Sequence, residues 1–181
     1  MFAVPTCFAA RGIRASRIAA WSVACAMAVA ACSGEEEGGG SSAAVDAGEC
    51  ASGRKWTGGN AESPLMHPGY DCIGCHTSMG EGPRFTVAGT VFADLNDGDD
   101  CFGVAGATVV VTGSDGNAVE MTTNEAGNFF TTQPVATPFT AKVVYQGKER
   151  AMLSQQTNGA CATCHTATGA NGAPGRILLP M

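Results

Sequence analysis

The sequence predicts a mainly β protein: one small antiparallel β-sandwich of about six strands, flanked by two irregular, glycine-rich segments with short helical turns. Three observations carry this expectation. Residues 85–153 hold runs of β-branched and aromatic residues, separated by turn-forming clusters at the spacing of sandwich strands. Residues 50–84 and 154–181 are polar, rich in glycine and short of periodic apolar positions. Each flank also carries one C-x-x-C pair followed at once by histidine, a spacing that fits a single helical turn.

In chain order, the N-terminus comes first. Arg11, Arg14 and Arg17 form a basic stretch, no acidic residue precedes Glu35, and Ile18 to Ala31 is apolar. That run is short for a membrane span and suits the apolar part of an export signal, so residues 1–31 are expected to be a signal peptide. Val29-Ala30-Ala31-Cys32 resembles the lipobox of bacterial lipoproteins. The resemblance implies that Cys32 becomes the first mature residue and carries lipid. With Ser33 beside it, it implies the outer membrane, facing the periplasm or the cell surface. An ordinary signal peptide cut near the same place is the competing reading. Residues 32–49, with Glu35-Glu36-Glu37-Gly38-Gly39-Gly40-Ser41-Ser42, lack the apolar content to bury anything and predict a flexible tether.

Residues 50–84 contain Cys72-Ile73-Gly74-Cys75-His76, and residues 154–181 contain Cys161-Ala162-Thr163-Cys164-His165. The chain has three histidines, His67, His76 and His165, and two of them directly follow a C-x-x-C. One such match arises by chance in about one chain in a hundred of this composition, so two matches make accident a poor explanation. The spacing has a chemical reason. Two thiols three positions apart on one turn can add to vinyl groups on one edge of a porphyrin, and the following imidazole then falls under the ring. In these ten residues the chain resembles a small c-type cytochrome. The resemblance implies two covalent haems, held by Cys72 and Cys75 and by Cys161 and Cys164, with His76 and His165 as proximal iron ligands. Four thiolates on a structural zinc, or two small redox disulfides, are the competing readings. Between the motifs, residues 50–84 promise almost no core of their own, so the cofactor is expected to supply apolar surface, with Trp56 and Leu65 either packed on it or anchoring the segment to its neighbour.

Six strands are expected near 85–93, 106–112, 117–123, 128–132, 139–146 and 149–153. Phe85, Val87, Gly89, Val91 and Ala93 alternate on one face of the first. Ser114-Asp115-Gly116-Asn117 and Asn124-Glu125-Ala126-Gly127 punctuate the following runs. Gly89-Thr90-Val91, Val104 to Val109 and Thr123 to Phe129 resemble the carboxypeptidase-regulatory-like module and the related immunoglobulin-like modules of bacterial surface proteins. That resemblance spans residues 85–153 and implies a scaffold without catalytic residues. Within it, Asp94-Leu95-Asn96-Asp97-Gly98-Asp99-Asp100 approaches a calcium loop, but the glycine comes one position early and no glutamate closes it. A solvated acidic turn is the preferred reading over calcium.

Methionine or histidine would complete the iron coordination. Met66 and His67 precede the first motif, and Met152 and Met181 are the accessible thioethers for the second, with Met79 and Met121 as outsiders. One spare histidine allows at most one bis-histidine haem per monomer. Arg176 is the basic residue nearest the second motif, a partner for a propionate or an ordinary surface residue. Of nine cysteines, Cys7 and Cys25 leave with the leader, Cys32 takes lipid and four hold haem, so Cys50 and Cys101 remain as a disulfide pair in an oxidising compartment.

Loss of residues 1–31 leaves seven Lys and Arg against 16 Asp and Glu, a formal charge of −9. An acidic surface disfavours nucleic acid and favours redox partners with a basic docking surface. The chain offers no acid–base pair beside a nucleophile and no nucleotide loop. The expected role is therefore electron transfer by an exported, membrane-anchored dihaem cytochrome. A haem enzyme or sensor with an open iron site, and a surface spacer built on the sandwich, are the rivals. Six antiparallel passes would return the chain to its starting end, which places the two motifs side by side.

Overall fold

The computed structural model describes residues 50–181. The expected signal peptide, lipidation site Cys32 and tether lie outside the described residues. Among the described residues, no helix is long and apolar enough to cross a membrane.

The fold is mainly β, with one short α-helix, α1 (Cys72–Met79), and two sheets. The six expected strands are all present: β1 (Val87–Phe92), β2 (Thr108–Thr112), β3 (Ala118–Thr122), β4 (Asn128–Thr131), β5 (Thr140–Tyr145) and β6 (Lys148–Ala151). A seventh, β7 (Ile177–Leu178), lies in the tail. One sheet runs β4-β1-β7 and the other β3-β2-β5-β6. Val87, Val91, Val109, Val111, Met121, Phe129, Phe139 and Val143 fill the space between them. On β2 the alternation is clean, with Val109 and Val111 buried and their neighbours half-exposed. The β5–β6 hairpin turns on Gln146 and Gly147, both at positive φ, as a two-residue turn of this twist requires. Strand β6 is exposed throughout, and its Lys148, Glu149 and Arg150 keep that edge from pairing further.

Strand β1 organises the rest. All six of its residues are buried, although it belongs to a small sandwich. Its inner face enters the core through Val87 and Val91. Its outer face is covered by the first flanking segment: the Gly69 amide donates to Thr90 Oγ1 (3.0 Å), and Thr90 in turn donates to Asn128 Oδ1 (2.7 Å). Asn128 Nδ2 then donates to the Met66 carbonyl (3.1 Å). Cys50 and Cys101 form a disulfide, and beside it the Trp56 amide donates to Asp100 O and the Phe102 amide to Arg54 O. Residues 50–71 are thus held to the sandwich by a cross-link and by backbone hydrogen bonds. The cause is the outer face of β1, whose Thr90 offers hydrogen bonds rather than apolar contact.

The second flanking segment is also built into the sandwich. Ala160 bridges Ala88 in parallel, and β7 pairs in parallel with the far half of β1, Ile177 opposite Val91. Residues 161–176 are an excursion that leaves and rejoins the same strand edge.

Candidate functional site: two thiol–imidazole turns on one strand

Each motif forms a turn that puts its two thiols and its imidazole on one side. In α1, Asp71 caps the N-terminus by accepting from the Gly74 amide at 2.9 Å, and Gly80 ends the helix in the left-handed region. The helix runs beyond the single turn expected because both ends are capped. Gly74 has a steric role: a Cβ there would stand 2.3 Å from the Asp71 carboxylate. Cys72, Cys75 and His76 lie at i, i+3 and i+4 and so share one face.

The second motif has no such cap. Ala160 offers no side-chain acceptor, and only a 3-10 turn forms over Cys161–Thr163. The His165 amide nevertheless donates to the Cys161 carbonyl at 2.9 Å, an i to i+4 bond that reproduces the placement seen in α1.

Both histidines are oriented in the same way. His76 Nδ1 lies 2.9 Å from the Pro83 carbonyl, and His165 Nδ1 lies 2.9 Å from the Gly175 carbonyl. A carbonyl only accepts, so each ring donates from Nδ1, and in the neutral ring the lone pair is then on Nε2. Gly82 makes the first of these contacts feasible, because a Cβ there would stand 2.9 Å from His76 Nδ1. The His76 ring also packs against Phe85 (centroids 5.0 Å), and Phe85 against the half-exposed Phe130 (4.7 Å).

The two motifs meet on β1. The Cys161 side chain lies over Gly89, where an added Cβ would come within 2.9 Å of Cys161 Cβ. Burial pushes the Cys161 thiol up to about 12, and the neighbouring Cys72, Cys164 and Asp71 add to the shift. Cys72 is raised to about 11, by burial first and by Asp71 second. Cys72 is among the charges that raise Cys161, so the first cysteines of the two motifs lie within electrostatic reach of each other. Adjacency is as expected, but its cause is different. The chain switches sheets between β1 and β2, β3 and β4, β4 and β5, and again before β7, so counting passes decides nothing. Attachment of both segments to β1 does.

The remaining candidates scatter. Both ring nitrogens of His67 are engaged, Nδ1 with Asp100 Oδ1 (2.9 Å) and Nε2 with Asn60 Oδ1 (3.1 Å). Trp56 packs edge-on against that ring (6.3 Å) and its Nε1 donates to Gly59 O, so it belongs to the cover over β1. Met66 and Met79 are half-buried near the first motif, and Met152 follows β6 in the other sheet. Met121 is in the core and Met181 is almost fully exposed. The acidic loop does not converge on a point. Asp94 accepts from the Asn96 amide, Asp97 from the Ala51 amide, Asp99 from Arg176, and Asp100 meets His67. Asp97 is buried with Oδ2 lacking a partner, and burial raises its carboxyl despite the Ala51 amide. Among the described residues, no group of three or more His, Cys, Asp or Glu side chains is placed to hold a metal ion.

Of the two readings given for Arg176, the ordinary surface residue is overturned, since Arg176 is 2% exposed. Its Nε donates to Asp97 O (2.8 Å), its Nη1 to Gly69 O (3.2 Å) and His165 O (3.3 Å), and its Nη2 to the Asp99 carboxylate.

Fold and site together define a β-sandwich whose central strand carries two like-built thiol–imidazole turns. No family model, curated protein or solved structure matches this chain.

Proposed function

We propose that the protein is an exported, lipid-anchored dihaem c-type cytochrome that carries electrons to or from other redox proteins. The observation that supports this best is the matched orientation of His76 and His165, each with Nδ1 on a backbone carbonyl and Nε2 unencumbered. An iron-binding imidazole needs that outer hydrogen bond to fix its tautomer and direction. A turn with one imidazole and two thiols also suits a metal that arrives in its own macrocycle, whereas zinc would need three or four ligands converging. When bound, haem supplies reversible one-electron chemistry at iron. The chain's part is to fix two thiols and one imidazole per turn and to bring the two turns together. The acidic mature surface steers basic partners, and Cys32 with the tether holds the folded part at the membrane.

A reversible spectroelectrochemical titration tests the role: two low-spin haems cycling without change on addition of CO support electron transfer. One observation bears on a second reading, a haem enzyme or sensor: His67 is held by Asp100 and Asn60 and Met121 lies in the core, which removes two of the candidates for the sixth iron position. A high-spin component that shifts with CO or cyanide would establish that alternative.

A further inference from the structure

The guanidinium of Arg176 bridges the backbone of the two flanking segments. One nitrogen, Nη1, donates to the carbonyl of His165, the residue that closes the second motif, and to the carbonyl of Gly69, ahead of the Asp71 cap of α1. The preceding residue, Gly175, accepts the Nδ1 proton of His165. The Gly175–Arg176 unit therefore holds His165 twice, by its ring and by its main chain. Gly69 permits the approach: it sits at φ +89, and a Cβ there would stand 2.9 Å from Nη1. The remaining donors fix the guanidinium itself, on Asp97 O and the Asp99 carboxylate, with Phe92 under its plane at 4.8 Å. A residue serving only to fill this space would need no donors. A planar fork is required to reach several carbonyls at once.

From this geometry we infer that Arg176 is a positioning residue that locks the two motif turns into one unit, so that the surroundings of the two haem irons are set jointly. The inference rests on the dihaem reading and adds to it a coupling between the two sites.

The test uses the full chain exported with c-type maturation, as wild type, Arg176→Lys and Arg176→Met. Lysine keeps the charge but has one nitrogen, which cannot reach the Gly69 and His165 carbonyls while also holding the Asp97 carbonyl and the Asp99 carboxylate that fix the guanidinium. With two haems retained by intact mass, Arg176→Lys is expected to speed amide exchange about tenfold or more in both 69–75 and 163–169, since charge-assisted hydrogen bonds are lost in each. It is also expected to move both midpoint potentials and to weaken any Soret circular-dichroism couplet. Arg176→Met should do the same more strongly; if it does not accumulate as folded protein, Arg176→Lys decides. Faster exchange in one segment alone, or in neither, overturns the link. Faster exchange in both with unchanged potentials reduces Arg176 to a structural clamp and overturns the coupling. Wild type without haem would remove the dihaem reading instead, and the exchange comparison would still decide whether Arg176 joins the two turns.

Discussion

The Nδ1 nitrogen of His165 stands 2.9 Å from the carbonyl oxygen of Gly175, ten residues further along the chain. His76 stands in the same relation to Pro83, seven residues on, at the same distance. The two loops share neither length nor sequence. What they share is a backbone acceptor on Nδ1, with no hydrogen-bond partner at Nε2.

Gly82 offers a test of the first of these bonds. Its φ of +74 costs a side chain about 1 kcal/mol, and a Cβ would press on His76 Nδ1 at 2.9 Å. Gly82→Ala is expected to leave both thioether pairs intact while weakening the ligation by His76. Intact mass should still count two haems, and one midpoint potential should shift. Unchanged potentials would show that the Pro83 contact does not govern the imidazole.

The Cys50–Cys101 disulfide closes a long loop, with a sequence separation of 51, around the first motif. Replacing both residues by serine is expected to cost about 2–5 kcal/mol and to lower Tm by roughly 5–15 °C. The first flanking segment, residues 50–84, should become the most protease-sensitive part of the variant. A Tm within a degree or two of wild type would mean that backbone hydrogen bonding from residues 50–71 suffices.

The buried thiols give the haem-free chain a pH dependence with a definite sign. Cys72 and Cys161 ionise at about 11 and about 12 when folded, against 9.0 for an ordinary cysteine. Their contribution to stability is complete below pH 9 and is lost as pH rises through the folded values, because the unfolded chain releases these protons first. The urea midpoint should fall between about pH 8 and about pH 10.5, and fall less in Cys72→Ala/Cys161→Ala. Equal falls in the two proteins would place the effect elsewhere.

Much of the fold was legible. Alternation located β2, where Val109 and Val111 face the core and their neighbours are half-exposed, while β1, buried on both faces, and β6, exposed throughout, were placed by the turn residues that bound them. β7 was not, since two residues, Ile177 and Leu178, carry no period. The cover over β1 left no signal either: it is built from backbone groups meeting Thr90 and Asn128, and such bonds follow no residue pattern. The motif turns were read directly from cysteine and histidine spacing. The surface reading of Arg176 failed because arginine is rarely buried, and only the tertiary structure shows the carbonyls that make its burial tolerable. His67 looked available for iron because its partners, Asn60 and Asp100, are 7 and 33 residues away.

The membrane anchor is tested in the sequence itself. Cys32→Ser is expected to move the protein from the membrane fraction to the soluble one. Retention in the membrane would make the preceding apolar run a true span rather than a cleaved leader.

The most direct measurement is intact mass combined with a pyridine haemochrome spectrum on protein exported by a host with c-type maturation. Wild type is expected to carry two covalent haems. Cys72→Ala/Cys75→Ala and Cys161→Ala/Cys164→Ala should each carry one. A mass without added porphyrin, or with stoichiometric zinc in its place, would contradict the dihaem assignment.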